Sequence, residues 1–444
     1  MRAPLLLFAV LLVADLAGCS SSLTPGSSSG PIPPPPALQH TVFSHAVNMT
    51  SGSSARETSL ALSPTDPNLL FACDPSGVPA VGNGHSYFYV SHDNGTTWSD
   101  VDNEDQQVDL RKAAFEGGDC DVAVDAAGTL YTADTWLGDL SVGSSKDGGA
   151  TWTVGTSLAG TAPAIDRPWL VGGPAGTVYL TYQDVQFGMP AAIWFTKSTD
   201  YGQTFMPAVP VATATQAGLY SWEGNFVVVG EQDLHLVYNR RATGVVGLPT
   251  DSPAEDVTVA TSHDSGLTWT STIVSHRLAS ASYLYPAIAA DSAGDLHVVF
   301  SQASGGMQPT WYSRSTDAGA TWSEPIPLMT NVTSGSPWIA AGKPGQAAAI
   351  FFGCDGACSG NDDLNWTLYS ARIVNGTVVE AGPVTGAPLF HGKQQLGFAE
   401  FNMVRLDAWG RMRIGASVPF AKQADGSDLH WQAMYVPQLD GPAT

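Results

Sequence analysis

At residues 91–100 the chain reads SHDNGTTWSD, setting a hydroxyl, an imidazole and a carboxylate next to one another. Those are the three groups of nucleophilic hydrolysis, in which His takes the proton of Ser and a carboxylate orients the ring. The pattern recurs as SKDGGATW at Ser145, STDYGQTF at Ser198, SHDSGLTW at Ser262 and STDAGATW at Ser315. Between Ser and Asp stand His, Lys, Thr, His and Thr in turn, so the imidazole is replaceable. Adjacent turn residues also seldom meet in triad geometry. The repeated residues therefore read as structure. Asp93, Asp147, Asp200, Asp264 and Asp317 accept hydrogen bonds from turn amides as an Asx cap does. The Gly two residues on allows positive φ, and the ring at Trp98, Trp152, Phe205, Trp269 or Trp322 buries a large surface between layers.

The elements that carry this turn follow from its spacing. Steps of 54, 53, 64 and 53 residues separate the five copies, a period that indicates a solenoid, array or propeller. Upstream of each copy lies a short apolar strand, a Gly-containing turn and a second strand, as in CDVAVDAAGTLYTAD and AIAADSAGDLHVVFSQ. The strand pair continues past the last copy in WIAAGKPGQAAAIFFG and NMVRLDAWGRMRIGA, giving seven pairs against five turns. Each unit then forms a four-stranded antiparallel sheet, and sheets arranged radially make an all-β propeller whose edges are protected by ring closure. Seven blades is the preferred count, six the runner-up. Residues 40–49, HTVFSHAVNM, have no inner strand before them and resemble the lone strand after each turn, such as STIVSHRL. They are expected to supply the outer strand of the last blade.

The pattern S-x-D-x-G-x-T-W resembles the Asp-box, or BNR repeat, of sialidases and of many propellers that are not sialidases. The resemblance covers about residues 57–415 and implies a turn between the third and fourth strands of each blade. Sialidases hold a substrate carboxylate with three arginines, use a Tyr activated by Glu as nucleophile, and an Asp as acid/base. Family members carry Arg-Ile-Pro near the N-terminus, where this chain has Arg56-Glu57-Thr58, so only the Arg matches. Glu223, Arg240, Arg241, Arg314, Tyr283, Tyr285 and Tyr312 follow in a compatible order without a matching local motif. No catalytic residue carries over. The resemblance implies a glycan- or protein-binding module, with an exo-sialidase-type glycoside hydrolase as the alternative and an envelope scaffold as a third reading.

A propeller gathers the starts of its innermost strands around a central opening. Aligning the units on their Gly turns places there Arg56 and Glu57, Asp119 and Asp121, Asp166 and Arg167, Glu223, Tyr285, Ser336 or Trp338, and Glu400. Charges converging on one channel are costly unless paired or used. Two readings stay open: Arg56 and Arg167 neutralise nearby carboxylates and fix blade packing, or the cluster binds a sugar or other small polar group. Asp119, Asp121, Asp166 or Glu400 could also coordinate Ca²⁺, although no EF-hand or other ligand spacing supports it; no metal or cofactor is otherwise indicated.

The N-terminus gives an address. Arg2, an apolar run from Leu5 to Val13 and small residues make a secretory signal peptide over residues 1–18. Its end, Leu16-Ala17-Gly18-Cys19, resembles the bacterial lipobox, which implies lipidation of Cys19; an ordinary signal peptide with a chance Cys is the alternative. Residues 19–39, rich in Ser, Gly and Pro, read as a tether, and residues 40–444 as the propeller. Ser20 rather than Asp after the Cys implies an outer-membrane or cell-surface position in the envelope. The other cysteines are Cys73, Cys120, Cys354 and Cys358. Cys354 and Cys358 are close enough to staple one loop, which leaves Cys73 with Cys120; a CxxxC metal site would need a further His or Cys nearby. Eighteen basic against forty acidic residues give a net charge of −22, which repels phosphate backbones, so nucleic acid is excluded as a partner. The expected partners are a membrane through the lipid and a glycan or envelope protein, bound by a monomer.

Overall fold

The computed structural model describes residues 40–49, 57–75, 86–101, 118–136, 139–155, 158–159, 164–186, 189–213, 219–242, 254–276, 285–302, 304, 307–356, 358, 364–392, 401–422 and 429–444. They form seven antiparallel sheets, each opened by an innermost strand: Ser59–Leu62, Cys120–Val124, Ala164–Gly172, Leu219–Val229, Ala287–Ala290, Val332–Ala341 and Met403–Leu406, for blades 1 to 7. The fold is a seven-bladed β-propeller, and no helix occurs among the described residues. Because blades pack face to face, a central strand is covered on both sides. The run AAAIFF within Gln346–Asp355 is accordingly at most 1% exposed along its whole length.

Ring closure is made by the N-terminus. In blade 7 the chain supplies Met403–Leu406, Met412–Lys422 and Leu429–Asp440, and the outer position is filled by Val42–Phe43 and Val47–Asn48. Thr41 is fastened to blade 6, its N–H and hydroxyl each donating to the Glu380 carboxylate at 2.8 Å.

The five Asp-boxes join the third and fourth strands of blades 1 to 5. All repeat one hydrogen-bond set: in blade 5, Ser315 Oγ donates to Asp317 Oδ1, Gly319 N to Ser315 Oγ, and Thr321 N and Oγ1 to the two Asp317 oxygens. These donors hold Asp200, Asp264 and Asp317 down at a pKa of about 2. A carboxylate so occupied is a clasp, not a base. The box rings lie between blades: Trp98 meets Tyr435 of blade 7, Trp152 meets Phe71 of blade 1, and Trp269 meets Phe195 of blade 3. Blade 6 has no box because Asn375 (φ 48°) and Gly376 (φ 78°) close it as a two-residue hairpin.

A second clasp spans neighbouring blades. Asp291, in the first turn of blade 5, accepts from Ala293 N and Asp295 N in its own turn and from Gly345 N of blade 6, and it contacts buried His297 at 3.2 Å. Asp125 does the same with Gly176 N of blade 3 and the Tyr131 hydroxyl. Two disulfides are present: Cys73–Cys120, which ties blade 1 to blade 2, and Cys354–Cys358, which closes a loop of blade 6.

Candidate functional site at the propeller mouth

The innermost strands of blades 3, 4 and 6 share an irregularity at their entrances. Register with the second strand breaks between Asp166 and Trp169, between Glu223 and Phe226, and between Gly335 and Trp338. In two of these bulges a non-glycine residue before proline takes positive φ: Arg167 (53°) ahead of Pro168, and Ser336 (51°) ahead of Pro337. Such conformations cost of order 1–3 kcal/mol and persist where surrounding structure enforces them. Here each bulge delivers the following tryptophan to the axis. Trp169 and Trp338 meet there with ring centroids 5.3 Å apart.

Phe401 of blade 7 packs edge-on against Trp169 at 4.9 Å and against Trp338 at 6.3 Å, and Tyr285 of blade 5 lies 5.0 Å from Phe401. The guanidinium of Arg167 sits over the Tyr285 ring at 4.0 Å and the Phe401 ring at 4.7 Å. A desolvated cation over an aromatic face gains about 2 kcal/mol from a good contact. Arg167 is only 6% exposed, and its Nε lies 3.9 Å from Asp166.

Around this centre stand the acids. The Arg167 backbone N–H donates to Asp119 at 3.2 Å. Burial, and then the neighbouring carboxylates of Glu57 and Asp166, push Asp119 well above the usual carboxylate range. Glu223 is 0% exposed, its backbone N–H donating to Gln183 Oε1 at 2.9 Å. Neither Glu223 carboxylate oxygen makes a hydrogen bond in the protein. Burial raises its pKa strongly, with the Arg167 charge opposing the shift and Asp166 adding to it. The mouth thus holds two carboxyls whose pKa burial raises, beside partly exposed Glu57 and Asp166.

Every blade contributes: Glu57, Asp119, Arg167, Glu223, Tyr285, Trp338 and Phe401 in blade order. Asp121, two residues inside blade 2, lines the axial cavity instead, where Ser59 Oγ and Leu170 N engage its two oxygens. Arg56, Glu400 and Cys19 lie outside the described residues. The sequence reading missed Phe401 and Trp169; the shared Pro-Trp of DRPWL and GSPWI was the signal for the latter. Among the described residues no three arginines converge at the mouth. Arg240 pairs with Asp256, Arg314 with Asp295 and Arg413 with Asp407, and Arg405 lines the cavity below. Nor, among the described residues, are three or more His, Cys, Asp or Glu side chains grouped to hold a metal ion.

Comparison with solved structures finds several that cover most of this chain. An ulvan lyase, a polysaccharide lyase bound to -[GlcA(1-4)Rha3S]-, is 12% identical, with 88% of this chain and 96% of the lyase covered at a TM-score of 0.57. An α-L-arabinofuranosidase from Fusarium graminearum is 14% identical, with 77% and 99% covered at 0.48. The intramolecular trans-sialidase of Ruminococcus gnavus is 12% identical, with 91% and 98% covered at 0.46. At 12% identity the likeness to the lyase is one of fold. No curated protein matches the chain by sequence. The BNR repeat-like domain family matches residues 40–298 and 139–351, most of the propeller. With its Asp-boxes and seven blades in place, the chain belongs to that BNR repeat-like family.

Proposed function

We propose that the protein is a carbohydrate-binding propeller that takes its glycan at the mouth. The observation that carries this reading is the convergence of carboxyls and aromatic rings at the mouth around Arg167 and Trp169, at two strained bulges. Carboxyl groups are acceptors and, when protonated, donors for sugar hydroxyls, and rings offer an apolar face to sugar C–H groups. The fold shared with an ulvan lyase that holds a uronate-containing saccharide supports it. An exo-sialidase reading lacks its three-arginine clamp among the described residues, where Arg167 already lies over two adjacent rings.

The protein is displayed on the cell envelope as a lipoprotein, anchored through Cys19 and carried on the 19–39 tether. Palmitate labelling of the wild type, absent from Cys19→Ser, tests the anchor; a labelled Cys19→Ser protein removes it. For the site, retention on a panel of immobilised polysaccharides is compared for wild type, Glu57→Gln and Asp166→Asn. Loss of one charge-assisted hydrogen bond weakens binding by about tenfold. A folded wild type retained by no glycan, or variants that bind as well as wild type, would sink the proposal. Turnover of a fluorogenic sialoside that disappears in Glu223→Gln would favour the hydrolase; none is expected.

A further inference from the structure

Below the aromatic cluster the axis opens into a cavity of about 400 Å³, walled by the innermost strands of all seven blades and lined at one end by Trp169 and Trp338. Two ionisable groups line it, Asp121 and Arg405. Arg405 comes from Met403–Leu406 of blade 7, and its Nε donates across the blade gap to Leu60 O at 2.9 Å. One further contact, from Nη2 to the Met403 sulfur at 3.5 Å, is weak. A guanidinium has five N–H donors, so most of its capacity is unspent in the protein. The other buried or half-buried arginine side chains described, Arg167, Arg240, Arg314, Arg372 and Arg413, each have a carboxylate within 4 Å. In a chain of net charge −22, Arg405 has none among the described residues. Asp121 attracts it through space but makes no ion pair with it within 4 Å, its two oxygens being engaged by Ser59 and Leu170. The indole N–H groups of Trp169 and Trp338 are likewise buried without a hydrogen-bond partner in the protein.

A half-buried cation facing a cavity without an ion pair favours an incoming anion, and a planar fork matches an oxyanion. We propose that the axial cavity is a second ligand site, which binds a small oxyanion (a carboxylate, phosphate or sulfate group) on Arg405. It is separate from the mouth and does not depend on the carbohydrate reading.

Asp121 sets the pH dependence. Burial lifts it to about 6, so below that pH it is neutral and above it its charge opposes an incoming anion. Binding therefore tightens as pH falls from 8 to 5.

Selenate, a sulfate mimic with an anomalous signal, serves as the probe, diffused into crystals of the wild-type protein at pH 5. An anomalous peak in the cavity beside Arg405 is expected. Peaks at the surface alone, an adventitious ion only, or no peak at all would overturn the proposal. In solution, calorimetric titration of sulfate into wild type should show saturable binding, weaker by about tenfold or more in Arg405→Gln and tighter at pH 5 than at pH 8. Unchanged affinity in a natively folded Arg405→Gln protein, or binding that tightens as pH rises, also overturns it. Should Arg405→Gln fail to fold because Leu60 O loses its donor, the wild-type map and pH series still decide.

Discussion

Glu223 is a carboxyl surrounded by protein on every side, and the absence of a hydrogen bond to either oxygen makes its anion expensive. Its folded pKa therefore stands above the unfolded value. The folded state binds the extra proton, so its contribution to stability is full at pH values below the unfolded pKa and declines as pH rises toward the folded one. Thermal and denaturant melts of wild type should weaken relative to Glu223→Gln between pH 5 and pH 8, by up to about 1.4 kcal/mol per pH unit. Parallel pH profiles for the two proteins would refute this. Glycines give a cleaner contrast. Gly266 has φ +89°, and a Cβ there would overlap the Phe195 ring of blade 3, whereas Gly376, φ +78°, has nothing within 4 Å. Gly266→Ala should cost about 2–4 kcal/mol in urea unfolding, from strain plus overpacking, and Gly376→Ala only about 1 kcal/mol. At this scale the sequence was readable where a residue repeats or stands out by charge. Arg167 and Glu223 were visible as rare charges at strand starts. Phe401, next to Glu400, was not, because an apolar residue entering a strand looks like core until its neighbours across the axis are known.

Strands and turns were more legible, because each Asp-box carries its own hydrogen-bond logic within eight residues. Blade 6 hid its turn: Asn375-Gly376 makes the same connection with two residues, leaving no box to count. The Asp291 clasp also escaped notice, since its partner Gly345 belongs to the next blade, and no local spacing records a contact 54 residues away. Removing it tests its weight. Asp291→Ala leaves the N–H of Gly345 and the His297 ring without their acceptor, and about 3 kcal/mol should be lost, read from the denaturant midpoint; a loss below about 1 kcal/mol would make the clasp incidental. The Cys73–Cys120 bond, with a sequence separation of 47, restricts the unfolded chain by about 4 kcal/mol in the loop-entropy picture. Alanine at both positions should lower stability by close to that amount and leave the far-ultraviolet spectrum unchanged.

For the molecule as a whole, seven strand pairs written along the chain were enough to state a ring, and the leftover strand at residues 40–49 said how it shuts. What one sequence does not encode is which side chains cross the axis, since that depends on bulges at Arg167 and Ser336 that break the regular pattern. Closure can be tested by truncation. A protein beginning at Thr50 leaves Leu429–Asp440 as an open edge, so it should melt at lower temperature and associate through that edge, seen as larger species in size-exclusion chromatography. A monomer that melts at the wild-type temperature would show that the N-terminal strands do not hold the ring.

That same arrangement decides where a mechanical load enters. Tension along the N-terminal segment reaches the fold first at Thr41, whose two bonds to Glu380 tie it to blade 6 before Val42 and Phe43 engage blade 7. The first link to give way under pulling would be one spanning the last two blades, and next the strand that keeps the ring shut.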